Sequence, residues 1–178
     1  MSEEKLVFKK INGELIEDAN QYVKDWMANF PHSSVMIGCD SQEHSRYVKY
    51  SIVIVMHKFL DPRKKETVDS RIGHGAHVIS AEILDKSKNI KNDIYSKLWA
   101  ETIYTVKAAE MLDGCTKNIT IHLDYNSDEN EYSYSLYAAG IGYVTGLGYE
   151  AYGKPYAWAA SHAADDLCKN NVRVKVWC

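Results

Sequence analysis

Apolar residues recur along the chain with two periods, and the switches between them outline its elements. Leu15, Ala19, Tyr22, Trp26 and Phe30 fall at helical spacing, predicting an amphipathic helix that Pro31 stops. A strand or turn around Leu6 to Gly13 precedes it. The apolar run from Val35 to Asp40 predicts a strand, and alternation through Val48, Tyr50, Ile52, Ile54 and Met56 predicts a second over 47–59. The gap 41–46 is short enough for a hairpin. Beyond a charged loop, Asp61 to Glu66, a third strand is expected over His74 to Ile83. A long helix follows from about Asp93 to Leu112, ended by Asp113-Gly114. The remaining pattern gives a strand to Asp124, a helix from about Tyr132 to Leu147, a strand from Tyr149 to Gly153 and a helix from near Pro155. Val172, Val174 and Val176 alternate as an edge strand. The order is βββαβαβα, a mixed α/β sheet of five strands with helices on both faces and a small N-terminal helical extension.

Composition narrows the classes. A chain of 178 residues is enough for one domain with its own core, here an extension at 1–33 packed on a domain at 34–178. No stretch reaches the roughly 18 apolar residues of a membrane span, and the N-terminus lacks a secretory signal, so a cytoplasmic protein is expected. The cysteines, Cys39, Cys115, Cys168 and Cys178, form no CxxC pair and suit neither zinc nor a disulfide framework. The net charge of −3 argues against indiscriminate polyanion binding but leaves a locally basic nucleic-acid site open.

Four acids stand where solvated carboxylates are hard to explain. Asp40 and Asp124 each close an apolar strand and precede a polar loop; an isolated aspartate there is also a common turn starter. On a helical wheel Glu101 falls inside the stripe of Ile94, Leu98, Thr105, Ala108, Ala109 and Leu112, with Glu110 opposite. A buried, unpaired glutamate needs a cation, a hydrogen-bond network or a proton. On the last helix Ala157, Ala160, Ala164, Leu167 and Cys168 form the expected core face, with Asp165 at its edge and Asp166 pointing away. Four such acids in this order suggest a site for divalent metal ions.

Other candidates surround them. His44, His122 and His162 lie near the acids in sequence, and His162 is preferred as a proton carrier. His74 and His77 read as packing or surface residues. Lys154 is placed to reach a phosphate, and Lys86, Lys88, Lys91 and Lys97 form a backbone-contacting patch or a solvated cluster. Eight of the 13 tyrosines lie between Tyr125 and Tyr156, offering stacking surfaces, a homodimer contact or packing. Gly140, Gly142, Gly146 and Gly148 do not join a strand to a helix N-terminus, so they form no nucleotide loop; Gly146 and Gly148 read as a helix end.

The motifs Ile37-Gly38-Cys39-Asp40-Ser41-Gln42, Glu101 in the long helix, His122-Leu123-Asp124, and Gly148 through Lys154-Pro155 to Ala164-Asp165 resemble the YkuK-like family of predicted ribonuclease H-related nucleases. The resemblance runs from about residue 14 to 168 and implies a ribonuclease H-like fold. It further implies that Asp40, Glu101, Asp124 and Asp165 are catalytic and hold two Mg²⁺ or Mn²⁺ ions. Cys39 departs from the threonine expected there but faces away from Asp40 by strand alternation. The resulting expectation is a two-metal nuclease acting on RNA, an RNA:DNA hybrid or DNA, with His162 assisting and Gln42 and Lys154 contacting substrate. The rivals are a non-catalytic nucleic-acid-binding or regulatory protein and, lacking its phosphate loops, a phosphotransferase.

Overall fold

The architecture, from a computed structural model, describes residues 5–31, 33–58, 75–87, 93–116, 119–131 and 133–169. In chain order the elements are β1 (Lys9–Lys10), α1 (Ala19–Asn29), β2 (Ser34–Glu43), β3 (Val48–His57), β4 (Ala76–Asp85), α2 (Ile94–Met111), β5 (Ile119–Asn126), α3 (Tyr134–Gly146) and β6 (Glu150–Lys154). A π-helical segment (Ala159–Ala164) then runs directly into α4 (Asp165–Lys169). The expected loop at Asp61–Glu66, His74, Lys88, Lys91 and the C-terminal edge strand lie outside the described residues.

The strands form one mixed sheet in the order β1-β4-β3-β2-β5-β6. Strands β2, β3 and β4 are an antiparallel meander, whereas β5 runs parallel to β2 and β6 parallel to β5. The sheet has six strands where five were expected, because the extension adds β1 to the edge of β4. Two apolar layers cover it. Val35, Ile37, Cys39, Ile52, Ile54, Ile121, Leu123 and Tyr125 face α1, α2 and α3, while Val53, Val55 and Val78 pack with Ala159, Ala163 and Ala164 on the opposite face. The sheet alternation thus sends odd-numbered residues of β2 and β5 to the larger core and even-numbered ones to the smaller.

Local chemistry explains where the elements depart from their periodicity. Helix α1 begins at Ala19, because the Asp18 side chain accepts a hydrogen bond from the Gln21 N–H. Leu15 therefore lies outside the helix and is 68% exposed. Ile94, expected in the buried stripe of α2, is exposed at its first turn. On the last helix Ala157, Ala164 and Cys168 are buried as the wheel gave, and Ala159 and Ala163 are buried beside them. That wheel assumed 3.6 residues per turn, and the π-helical segment carries more. Gly148 follows α3 at φ +91, a left-handed closure that glycine adopts freely.

Candidate active site

Parallel pairing between β2 and β5 runs from Val35↔Ile119 to Gly38↔His122 and stops. Asp40 and Asp124 each lie two residues beyond that last pair, so both point to the face of Gly38 and His122, where the strands part. β2 continues into the hairpin with β3, pairing Asp40 with Ser51, and β5 shifts register against β6 between His122 and Asn126. Here the strand order also reverses direction along the sheet, the place where α/β folds open a crevice. Asp165, the first residue of α4, approaches from the smaller core, and Glu101 approaches from α2 on the other face.

The acids interact. Asp40 has a carboxyl pKa raised to about 7, mainly by burial and then by the charge of Asp124; the Ser41 N–H opposes this, and a hydrogen bond with the Asp165 carboxyl adds to it. Glu101, 5% exposed, is pushed well above the usual carboxylate range by burial and by Asp40, with the Ser41 hydroxyl pulling the other way. Each acid has its own compensation. Ser41 Oγ donates to Glu101 Oε1 at 2.6 Å, while Glu101 Oε2 is buried without a partner. Lys154 Nζ lies 2.8 Å from Asp124 Oδ1, an ion pair lacking hydrogen-bond alignment. Lys169 Nζ sits 2.7 Å from Asp165 Oδ1. Among the described residues, no three Asp, Glu, His or Cys side chains are gathered as a ready-made chelating group.

Supporting contacts fix the elements that carry these acids. Tyr125 is buried under α2, where its hydroxyl donates to Leu98 O at 3.0 Å and shares a 2.6 Å hydrogen bond with Thr102, the neighbour of Glu101. Gly140 and Gly153 pass so close that a Cβ would come within 2.1 Å of the Tyr125 ring and 2.5 Å of the Tyr137 ring, respectively. His122 Nδ1 accepts from the Ala159 N–H at 3.0 Å. Burial lowers the His122 pKa to about 4, keeping the neutral ring this contact requires. At α4, Lys49 Nζ donates to Leu167 O at 3.1 Å, and Cys168 Sγ to Asp40 O at 3.4 Å.

The sequence candidates therefore separate. Asp40, Glu101, Asp124 and Asp165 share one electrostatic environment, and Asp166 is exposed. His122, on the strand face of Asp124, accepts from the Ala159 N–H of the π-helical segment, and His44 stacks on Tyr47 within the hairpin turn at 4.6 Å. His162 is exposed and stacks on Trp158. Gln42 pairs with Lys49 two residues beyond Asp40. Lys97 pairs with Glu43 at 2.9 Å, and His77 accepts or donates to the Tyr22 hydroxyl at 2.7 Å. Ser41 was missed as a partner of Glu101, although alternation puts it on the Cys39 face toward which α2 points. Lys49 and the His122–Ala159 contact carried no sequence signal.

A three-stranded antiparallel meander joined in parallel to two further strands, with Asp40 and Asp124 where the parallel pair opens, defines a nuclease-like α/β fold. The ribonuclease H-like family model matches residues 14–169, and the chain belongs to that family. No curated protein and no solved structure matches it. Among the described residues, no helix is long and apolar enough to cross a membrane.

Proposed function

We propose that the protein is a metal-dependent nuclease hydrolysing phosphodiester bonds of RNA, an RNA:DNA hybrid or DNA. The observation that carries this reading is the electrostatic coupling of Asp40 to Asp124 and Asp165 and of Glu101 to Asp40 and Asp124, with the buried Glu101 Oε2 lacking any hydrogen-bond partner. Desolvated acids close together repel, so the arrangement is costly for the fold alone. The donors are all hard oxygens, which fits Mg²⁺ or Mn²⁺ better than zinc. Asp40, Glu101, Asp124 and Asp165 are the residues that would hold the ions.

When bound, such a pair of ions activates water and stabilises the leaving oxygen in phosphodiester hydrolysis. The chain's own residues orient and charge the site. Ser41 holds the Glu101 carboxylate through one oxygen and leaves the other free to bind. Lys154 and Lys169 offset negative charge and, moving off Asp124 and Asp165, can meet substrate phosphates; Gln42 lies along the same strand face for a polar contact. His162, three residues before Asp165, is the proton carrier of this reading. Labelled single-stranded RNA, hybrid and single-stranded DNA should be incubated with Mn²⁺, Mg²⁺ or chelator, beside Asp40→Asn. Cleavage that requires both metal and Asp40 supports the nuclease. Stable binding with no cleavage under any condition favours the non-catalytic binder instead.

A further inference from the structure

Beside the acids the chain presents a run of exposed aromatic rings that packing does not explain. Tyr156 is 75% exposed and Trp158 43%, although both belong to the short connection from β6 to the π-helical segment. Their backbone is nonetheless fixed: the Tyr156 N–H donates to Gly153 O at 2.9 Å and the Trp158 N–H to Tyr156 O at 3.0 Å. The Trp158 and His162 rings lie nearly parallel, with centroids 6.1 Å apart and planes inclined by 11°. His162 lies in the π-helical segment three residues before Asp165. On the sheet side, Tyr152 is half-exposed and packs its edge against His122 at 5.8 Å. Lys154, two residues later on the same strand face, reaches Asp124.

From this arrangement we infer that Tyr156 and the stacked Trp158–His162 pair form a platform for unpaired bases, so that the strand entering the carboxylate site is single-stranded. The inference rests on the nuclease reading and names its substrate class. Flat π surfaces held on a fixed backbone bind bases of any identity by stacking, provided the bases are not already stacked in a duplex. Lys154, two residues before Tyr156, and Lys169 pair with Asp124 and Asp165 and would supply cations for the phosphates joining those bases. A duplex hides its base faces and would meet only the ring edges.

The test uses full-length protein carrying Asp40→Asn, which binds without turnover, and a 12-nucleotide single strand of RNA or DNA beside the matching duplexes. Binding is followed by quenching of tryptophan emission and by anisotropy of a labelled strand. Single strands should bind at least tenfold more tightly than duplexes, and Trp158→Ala should weaken single-strand binding by about five- to a hundredfold, the loss of one base stack. Trp158→Phe should restore most of it, and Tyr156→Ala, at a still more exposed position, should weaken it without altering the melting temperature. Equal affinity for duplex and single strand, or Trp158→Ala binding like its parent, overturns the platform. So does sedimentation showing a dimer that Trp158→Ala dissociates, since the rings would then be an interface between copies. Loss of stacking with metal-dependent cleavage intact removes the platform alone; intact stacking with no cleavage by the wild type removes the nuclease reading alone.

Discussion

Replacing Asp40 by asparagine removes a charge from a place where the fold tolerates it poorly, so the metal-free protein should become more stable. The folded-state pKa of Asp40 is raised from 3.8 to about 7, and each pH unit of that rise corresponds to about 1.4 kcal/mol against the ionised form. The full penalty is slightly more than 4 kcal/mol; because neighbouring carboxylate charges contribute to it beside burial, about 2–4 kcal/mol is the working range. The sign follows from linkage. Between pH 4 and 7 the folded protein holds a proton that the unfolded chain has released, so this contribution to stability falls as pH rises and is fully lost above about 7. Asparagine keeps an acceptor for the Ser41 N–H and gains a donor for Asp165. At pH 8 in chelator, Asp40→Asn should therefore melt roughly 5–15 °C above the wild type, and the gap should shrink by more than half at pH 5. Calorimetry at both values, repeated with Mn²⁺, provides the assay. Mn²⁺ should raise the wild-type transition and leave the variant nearly unmoved. A variant less stable than wild type at pH 8, or a gap unchanged at pH 5, would refute the reasoning.

Three other outcomes test neighbouring parts of the structure. Gly140→Ala places a methyl 2.1 Å from the Tyr125 ring and should cost about 1–3 kcal/mol in urea denaturation; an unchanged midpoint would contradict that packing. His122→Phe leaves the Ala159 N–H without its acceptor and should cost about 1–3 kcal/mol, with Mn²⁺ affinity by calorimetry falling as the segment before Asp165 loosens. Asp165→Asn should lower metal-dependent cleavage by about a hundredfold or more, whereas Asp166→Asn, at an exposed position, should stay within about twofold in single-turnover rates. Reversed effects at these two positions would mean that the wrong acid of the pair faces Asp40.

Periodicity carried most of the topology because the sheet's two faces bury apolar residues on strict alternation. Val48 to Met56 and Ile119 to Leu123 could hardly be read otherwise, and the same alternation puts Asp40 and Asp124 on one face. The wheel also put Glu101 toward the sheet and Asp165 inside of Asp166. What escaped notice depends on contacts between distant segments. No local pattern indicates that β1 will add to β4, that His122 will hold the Ala159 amide, or that Lys49 will reach the Leu167 carbonyl. The burial of Ala159 and Ala163 escaped notice for another reason: the turns over Ala159–Ala164 are wider than the wheel assumes, and nothing in Ala-Ala-Ser-His-Ala-Ala announces that. The partners of the histidines were equally hidden: His44 stacks on Tyr47 in its hairpin and His122 accepts from the Ala159 amide.

The wide turns before Asp165 have a consequence for how the chain can vary in length. A π-helical stretch accommodates one more residue than an α-helix covering the same rise. Its start is tethered by His122 and the helix after it by Lys49 and Cys168. Slack is thus confined between two anchors, and shortening the stretch by one residue could tighten the coil without swinging either anchored end. Asp165 can therefore keep its place while the number of residues before it changes.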